Sequence, residues 1–205
     1  MTATPVATPL LTATDVTIER GGRGLVSELS LQVMPGEIWQ VEGVNGSGKT
    51  SLLRVLSGLS RYGYDGQVER AAPLLYLGHR SAVKPLLSPL ENLRLHPGGE
   101  GDHTDSDIER ALAAVGLAGF EDNLAGTLSA GQQRRINLAR LYLSPCPLWI
   151  LDEPFTAIDR EGVLALEQRF AQHAQAGGAI VCTSHQPLNV QASVSRLSLD
   201  RERAA

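Results

Sequence analysis

A short apolar run, EIWQVE at residues 37–42, leads directly into GVNGSGKT at 43–50, and a helical pattern follows at once. The octapeptide fits G-x-x-x-x-G-K-[ST], and that motif dictates a local architecture. A strand must deliver the loop, and the loop must open a helix whose free N-terminal amides face an anion. The amides around Asn45 to Lys49 are then placed to wrap a β-phosphate, with the helix dipole adding favourable charge. Gly43, Gly46 and Gly48 let the backbone come close, and Val44, Ser47 and Ser51 complete the nucleotide-contacting stretch. Lys49 reaches the β- and γ-phosphates as a point charge, and the Thr50 hydroxyl suits a Mg²⁺ ion.

The flanking sequence predicts an α/β fold. TATDVTIER and SELSLQV alternate apolar and polar residues, as half-buried strands do. KTSLLRVLSGL reads as a helix ending near Gly58, and GQVER and APLLYLG as two further strands. The texture then turns helical. Ser88, Pro89 and Glu91 form a helix start, HPGGEGDHTDSD (96–107) reads as a loop, and Ser106 with Glu109 suggests a second capping box. SAGQQRRINLARLYL is a third helix, with Ser129 and Gln132 spaced as a capping box of their own. PLWILDEP and GGAIVCTSH are continuous apolar runs separated by the helical REGVLALEQRFAQHAQ, a pattern that implies a buried parallel sheet. The tail SVSRLSLDRE alternates again. The expected layout is one domain over 1–205. Residues 10–85 and 144–205 form an α/β core, 86–143 an inserted helical lobe, and 1–9 a mobile tail.

In such a sheet, functional groups collect at the C-terminal strand ends. PLWILDEP ends in Asp152 and Glu153. Asp152 suits a direct or water-mediated Mg²⁺ contact, and Glu153 is a candidate for polarising an attacking water. TSHQ ends the other apolar strand and offers His185 to a γ-phosphate and to the catalytic carboxylate.

Composition excludes several alternatives. The chain carries a formal charge of −4 with no basic block, which suits nucleic acid poorly. Cys146 and Cys182 lack a metal-ligand spacing, and Cys182 lies in an apolar strand, so both read as core residues. The N-terminus lacks a basic segment and a long apolar run, and nothing approaches the ~18 apolar residues of a spanning helix. The expectation is a soluble, cytoplasmic chain whose membrane role runs through a partner.

The order GVNGSGKT, helical lobe, LSAGQ, LWILDEP, AID, TSHQ resembles the ATP-binding cassette (ABC) ATPases across nearly the whole chain. The resemblance implies a P-loop NTPase fold of the ABC type: a mainly parallel core sheet, an N-terminal antiparallel β part and an inserted α-helical lobe. It implies ATP and Mg²⁺ as ligands, with Lys49, Glu153 and His185 catalytic and Thr50 and Asp152 at the metal. It also implies a second copy of the chain, the pair sandwiching two nucleotides. Ser129, Gly131 and Gln132 would meet the γ-phosphate held by the other subunit, and Asp159 would act across that dimer.

Two positions depart from the family pattern. His79 stands where the family places a Gln that touches Mg²⁺ or water. An aromatic that stacks on adenine is usual near TIERGGR and none is present, and the planar guanidinium of Arg20 can stack instead. YLGH, LENLRL, GLAGFED, LSAGQQRR, LWILDEPFTAID and TSHQPL together resemble, more narrowly, the ATPase subunits of bacterial cytochrome c maturation systems. That likeness implies membrane permease subunits as partners, a place on the cytoplasmic side of the inner membrane, and haem as cargo of the complex. This chain has no haem-ligand pattern, so direct haem binding is not expected. An ABC transporter ATPase with another cargo, and a soluble ABC ATPase, stay open as alternatives.

Overall fold

The computed structural model describes residues 8–95 and 103–199. Most of the expected N-terminal tail, the first seven residues of the 96–107 loop and the end of the SVSRLSLDRE segment lie outside them.

The chain opens with a long hairpin. Strands β1 (Leu11–Arg20) and β2 (Arg23–Val33) pair antiparallel, and β4 (Tyr64–Arg70) pairs with the other edge of β1. Gly21 and Gly22 form the turn, with φ of 57° and 73°. Positive φ at both turn residues matches the strand twist, and glycine adopts it without strain. β3 (Ile38–Glu42), β5 (Leu74–Leu77), β6 (Leu148–Leu151), β7 (Ala179–Thr183) and β8 (Val194–Ser198) form a second sheet in the order β5-β6-β7-β3-β8, parallel throughout. The tail segment is therefore an edge strand of the parallel sheet.

Burial explains the apolar runs. Leu148, Ile150, Ala179 and Val181 face one side of the sheet and pack with Leu52, Leu53, Val55 and Leu56 of α1 (Lys49–Leu56) and the apolar face of β1. Trp149, Leu151, Ile180 and Cys182 face the other side. They pack with Leu138 and Leu141 of α4 (Ala130–Leu143) and Phe170 of α5 (Arg160–Gln175). Both faces are covered, so the central strand positions are apolar apart from hydrogen-bonded Gln40 and Thr183, and each buried aliphatic side chain contributes roughly 1.5–3 kcal/mol. Cys146 and Cys182 are buried as expected, and burial pushes the Cys182 thiol up to about 12.

A third apolar cluster joins α2 (Pro89–Arg94), α3 (Asp105–Ala114) and the outer face of α4. Ser88 caps α2 in a capping box with Glu91, as the sequence suggests. The α3 start differs from expectation. Thr104 is its N-cap and Asp107 closes the box, two residues before the Ser106/Glu109 pair. The earlier start brings Asp105 and Asp107 into the first turn, where the helix dipole favours negative charge. Ser106 instead accepts a hydrogen bond from Arg110 at 3.0 Å.

One core contact makes stability depend on pH. The His173 ring stacks on Trp149 with centroids 3.6 Å apart, and it lies against Gly178, where a side chain would collide with it. Burial lowers its pKa from 6.5 to about 4. Between those values the unfolded chain binds a proton that the folded chain refuses. Stability therefore rises with pH across this window and is lost as pH falls, by roughly 3 kcal/mol for the full shift. His173→Phe keeps the stack and removes the proton. Thermal melts of this variant should show a flatter pH dependence between 4 and 6.5 than the native chain, and parallel curves would refute the assignment.

Candidate functional site

Because the second sheet is parallel, the loops after β3, β5, β6 and β7 leave from the same end of it. The phosphate loop after β3 turns through Ser47 N–H donating to Val44 C=O at 3.1 Å. Gly46 and Gly48 take φ of 80° and 107°, and a Cβ on Gly48 would lie 2.9 Å from that of Leu25. Gly48 is also the N-cap of α1, so the loop's amides run straight into the helix start. Lys49 Nζ donates to the carbonyls of Gly43 (2.6 Å) and Val44 (3.2 Å). Ser47 Oγ is buried and has no hydrogen-bond partner among the described residues. A buried hydroxyl left unsatisfied is costly, and an anion in the loop would satisfy it.

A line of hydrogen bonds ties this loop to β6 and β7. Thr50 Oγ1 donates to Asp152 Oδ2 at 2.8 Å, and Thr183 Oγ1 donates to Asp152 Oδ1 at 3.0 Å. The Glu153 N–H donates to Thr183 Oγ1 at 2.7 Å. Thr50 and Asp152 thus present two hard oxygen donors side by side, the donor set that Mg²⁺ takes beside phosphate oxygens.

Glu153 is held differently. Its φ is 50°, an uncommon conformation for a residue with a side chain. His185 Nε2 lies 3.1 Å from Oε1, and His79 Nδ1 lies 3.2 Å from Oε2. The Thr156 hydroxyl also donates to Oε2, at 3.3 Å. The two adjacent carboxylates therefore serve different groups. His79, expected at the metal, lies with its Nδ1 against the Glu153 carboxylate.

The remaining expected residues lie elsewhere. Ser129 is exposed and caps α4, taking a hydrogen bond from the Gln132 N–H while the Gln132 side chain accepts from the Ser129 N–H. A Cβ on Gly131 would lie 2.8 Å from the Ala157 carbonyl oxygen, so this glycine is also required by packing within the chain. Asp159 caps α5 through the Gly162 N–H at 2.9 Å and pairs with Arg135 at 2.6 Å. The Gly162 amide, with the Arg135 guanidinium beside it, holds the Asp159 carboxyl below the usual range. Arg20 is exposed at the hairpin tip, with its guanidinium across Gly63.

Residues 26–156 match the family model described as ABC transporter. The chain belongs to the ABC transporter family. It is 52% identical over 194 residues to the "Cytochrome c biogenesis ATP-binding export protein CcmA" of Colwellia psychrerythraea, covering 89% of this chain and 88% of that one. It is 46% identical over 211 residues to the protein of the same name from Escherichia coli K12, covering 96% and 99%. A solved structure, "Structure of ATP binding subunit of ABC transporter", superposes with a TM-score of 0.74 at 23% identity, over 86% of this chain and 79% of that one. That likeness shows the fold.

As an ABC transporter ATPase the chain binds and hydrolyses ATP. Three residues that support this site were not singled out from the sequence. Thr183 bridges the Asp152 carboxylate and the Glu153 backbone amide, and its position just before Ser184 and His185 was the available signal. Gln40, almost fully buried in β3, bonds Gln186 C=O and Leu188 N–H and so anchors the loop that carries His185. Arg134 bonds the backbone at the ends of β5 and β6. Its spacing of four and seven residues from Leu138 and Leu141 marks the buried helix face.

Proposed function

We propose that this chain is the ATP-hydrolysing subunit of a membrane complex that handles haem for c-type cytochrome assembly. The hydrolytic part rests on one observation: the bonded line from Thr50 through Asp152 and Thr183 to the Glu153 backbone. The link to c-type cytochromes is supported by relatives about half identical to this chain over most of its length, named for cytochrome c biogenesis and export.

In this reading the loop amides from Asn45 to Lys49 and the Lys49 ammonium hold the β- and γ-phosphates, with Ser47 and Ser51 beside them. Lys49 moves from its own loop carbonyls to the phosphates. Thr50 and Asp152 hold Mg²⁺, which when bound neutralises charge on the phosphate oxygens. Glu153 orients the attacking water and takes its proton as the new P–O bond forms and ADP leaves. His185 and His79 keep the Glu153 carboxylate aimed. Arg20 supplies the surface for the base. Ser129, Gly131 and Gln132 of one copy meet the γ-phosphate held by a second copy, Asp159 stands at that dimer seam, and closure of the pair drives the permease subunits.

No helix among the described residues is long and apolar enough to cross a membrane. We therefore place the chain peripherally, on the cytoplasmic face of the inner membrane, through those subunits. Complementation tests the proposal. Cells lacking this chain should lose mature c-type cytochromes, the native chain should restore them, and Lys49→Ala should not. A membrane pull-down should recover haem-handling subunits. Normal cytochrome maturation in the deletion strain would refute the cargo while leaving the ATPase chemistry untouched.

A further inference from the structure

The α4 helix begins at Ser129, on the exposed face assigned above to a second copy's nucleotide. Five residues later the same helix turns Arg134 inward, and only 4% of that residue stays exposed. Its guanidinium bonds to backbone carbonyls. One terminal nitrogen donates to Gly78 at 2.9 Å and more weakly to His79 at 3.4 Å. The other donates to Glu153 at 2.7 Å and Asp152 at 3.1 Å. One planar fork thus spans the ends of β5 and β6. It holds the peptide planes on both sides of Glu153, and it holds the peptide that aims His79 at the Glu153 carboxylate.

Stability alone is a poor reason for a cation here. Burying a guanidinium costs several kcal/mol, and Arg134 Nε has no partner among the described residues. An apolar side chain would fill the same slot beside Leu138 at less cost. What an apolar residue cannot do is bridge carbonyls from two strands. Lysine offers one compact ammonium on a flexible stem, so it cannot reproduce the fork either.

We infer that Arg134 is a positioning residue for hydrolysis, setting the Glu153 and His79 backbone from the helix whose N-terminus carries Ser129. This rests on the reading of Glu153 as the base. Its bonds go to backbone carbonyls, including that of Asp152 but not the Asp152 carboxylate, and none to the phosphate loop or Thr50, so its effect belongs in turnover more than in ATP capture. It also makes the geometry of Glu153 depend on where α4 sits. A shift of α4 when a second nucleotide meets Ser129 is therefore transmitted to the base.

The test uses the chain assembled with its membrane subunits. R134K and R134A should lower kcat by about 10- to 100-fold, the loss expected for a misplaced catalytic group. The KM for ATP should stay within about twofold. Fluorescent ATP-analogue binding to each isolated variant confirms that the phosphate loop is intact. If R134A fails that check, R134K alone carries the comparison. Millimolar ethylguanidinium should raise the kcat of R134A and leave that of E153Q unchanged, because only the first lacks a guanidinium. Native kcat in both Arg134 variants, or a raised KM with unchanged kcat, would overturn the inference while E153Q stays inactive. Native turnover in E153Q would instead overturn the reading of the site.

Discussion

Glu153→Gln is expected to lower ATP turnover by about 10²–10⁴-fold while ATP stays bound. Glutamine has nearly the size of glutamate and keeps a hydrogen-bonding group between His79 and His185. It has no carboxylate to take a proton. The phosphate loop, Thr50 and Asp152 are untouched, so the variant should hold ATP and accumulate as an ATP-bound dimer. Phosphate release from the assembled complex measures the first effect, and size-exclusion chromatography with ATP the second. Native rates of phosphate release in the variant would remove Glu153 from its role. The strained φ of 50° gives this position further meaning. Such a conformation persists where surroundings over-determine it, and Thr183, Arg134 and the two histidines do so here.

Ser129→Arg should abolish turnover by a different route. Ser129 is exposed, so a larger side chain finds space in the single chain. The loss of the N-cap costs about 1 kcal/mol of helix stability, which is too little to unfold the domain. ATP binding to the isolated chain should remain near native, because its own phosphate loop is distant in the sequence and unaltered. The sandwich should fail if, as proposed, Ser129 meets a second copy's γ-phosphate, because a bulky side chain would then stand in its way. Fluorescent ATP binding and light scattering separate the two steps. Loss of ATP binding by the isolated variant would refute the role in trans.

The legible parts of this molecule share one property: they are local. Strand–loop–helix order around GVNGSGKT, the period of the buried strands, and the boxes at Ser88 and Ser129 each depend on neighbours within a few residues. The α3 start differs from the expected one because the polar stretch HTDSDIE offers overlapping boxes, Thr104/Asp107 and Ser106/Glu109, both of the right spacing. The Thr104 box adds Asp105 and Asp107 to the first turn ahead of Ile108, which packs in the helical cluster with either cap.

Residue order along the chain was enough to require a nucleotide loop, a buried parallel sheet and two carboxylates at a strand end. A covalent spacing and an apolar period carry that information directly. Only the tertiary structure decided that β5, β6, β7 and β3 stand side by side. That adjacency sets His79 on Glu153, makes Thr183 the bridge between the Asp152 carboxylate and the Glu153 backbone amide, and sends Arg134 from α4 to carbonyls at the ends of two strands. These contacts join residues far apart in the chain. Their geometry comes from strand order and packing, which no local pattern encodes.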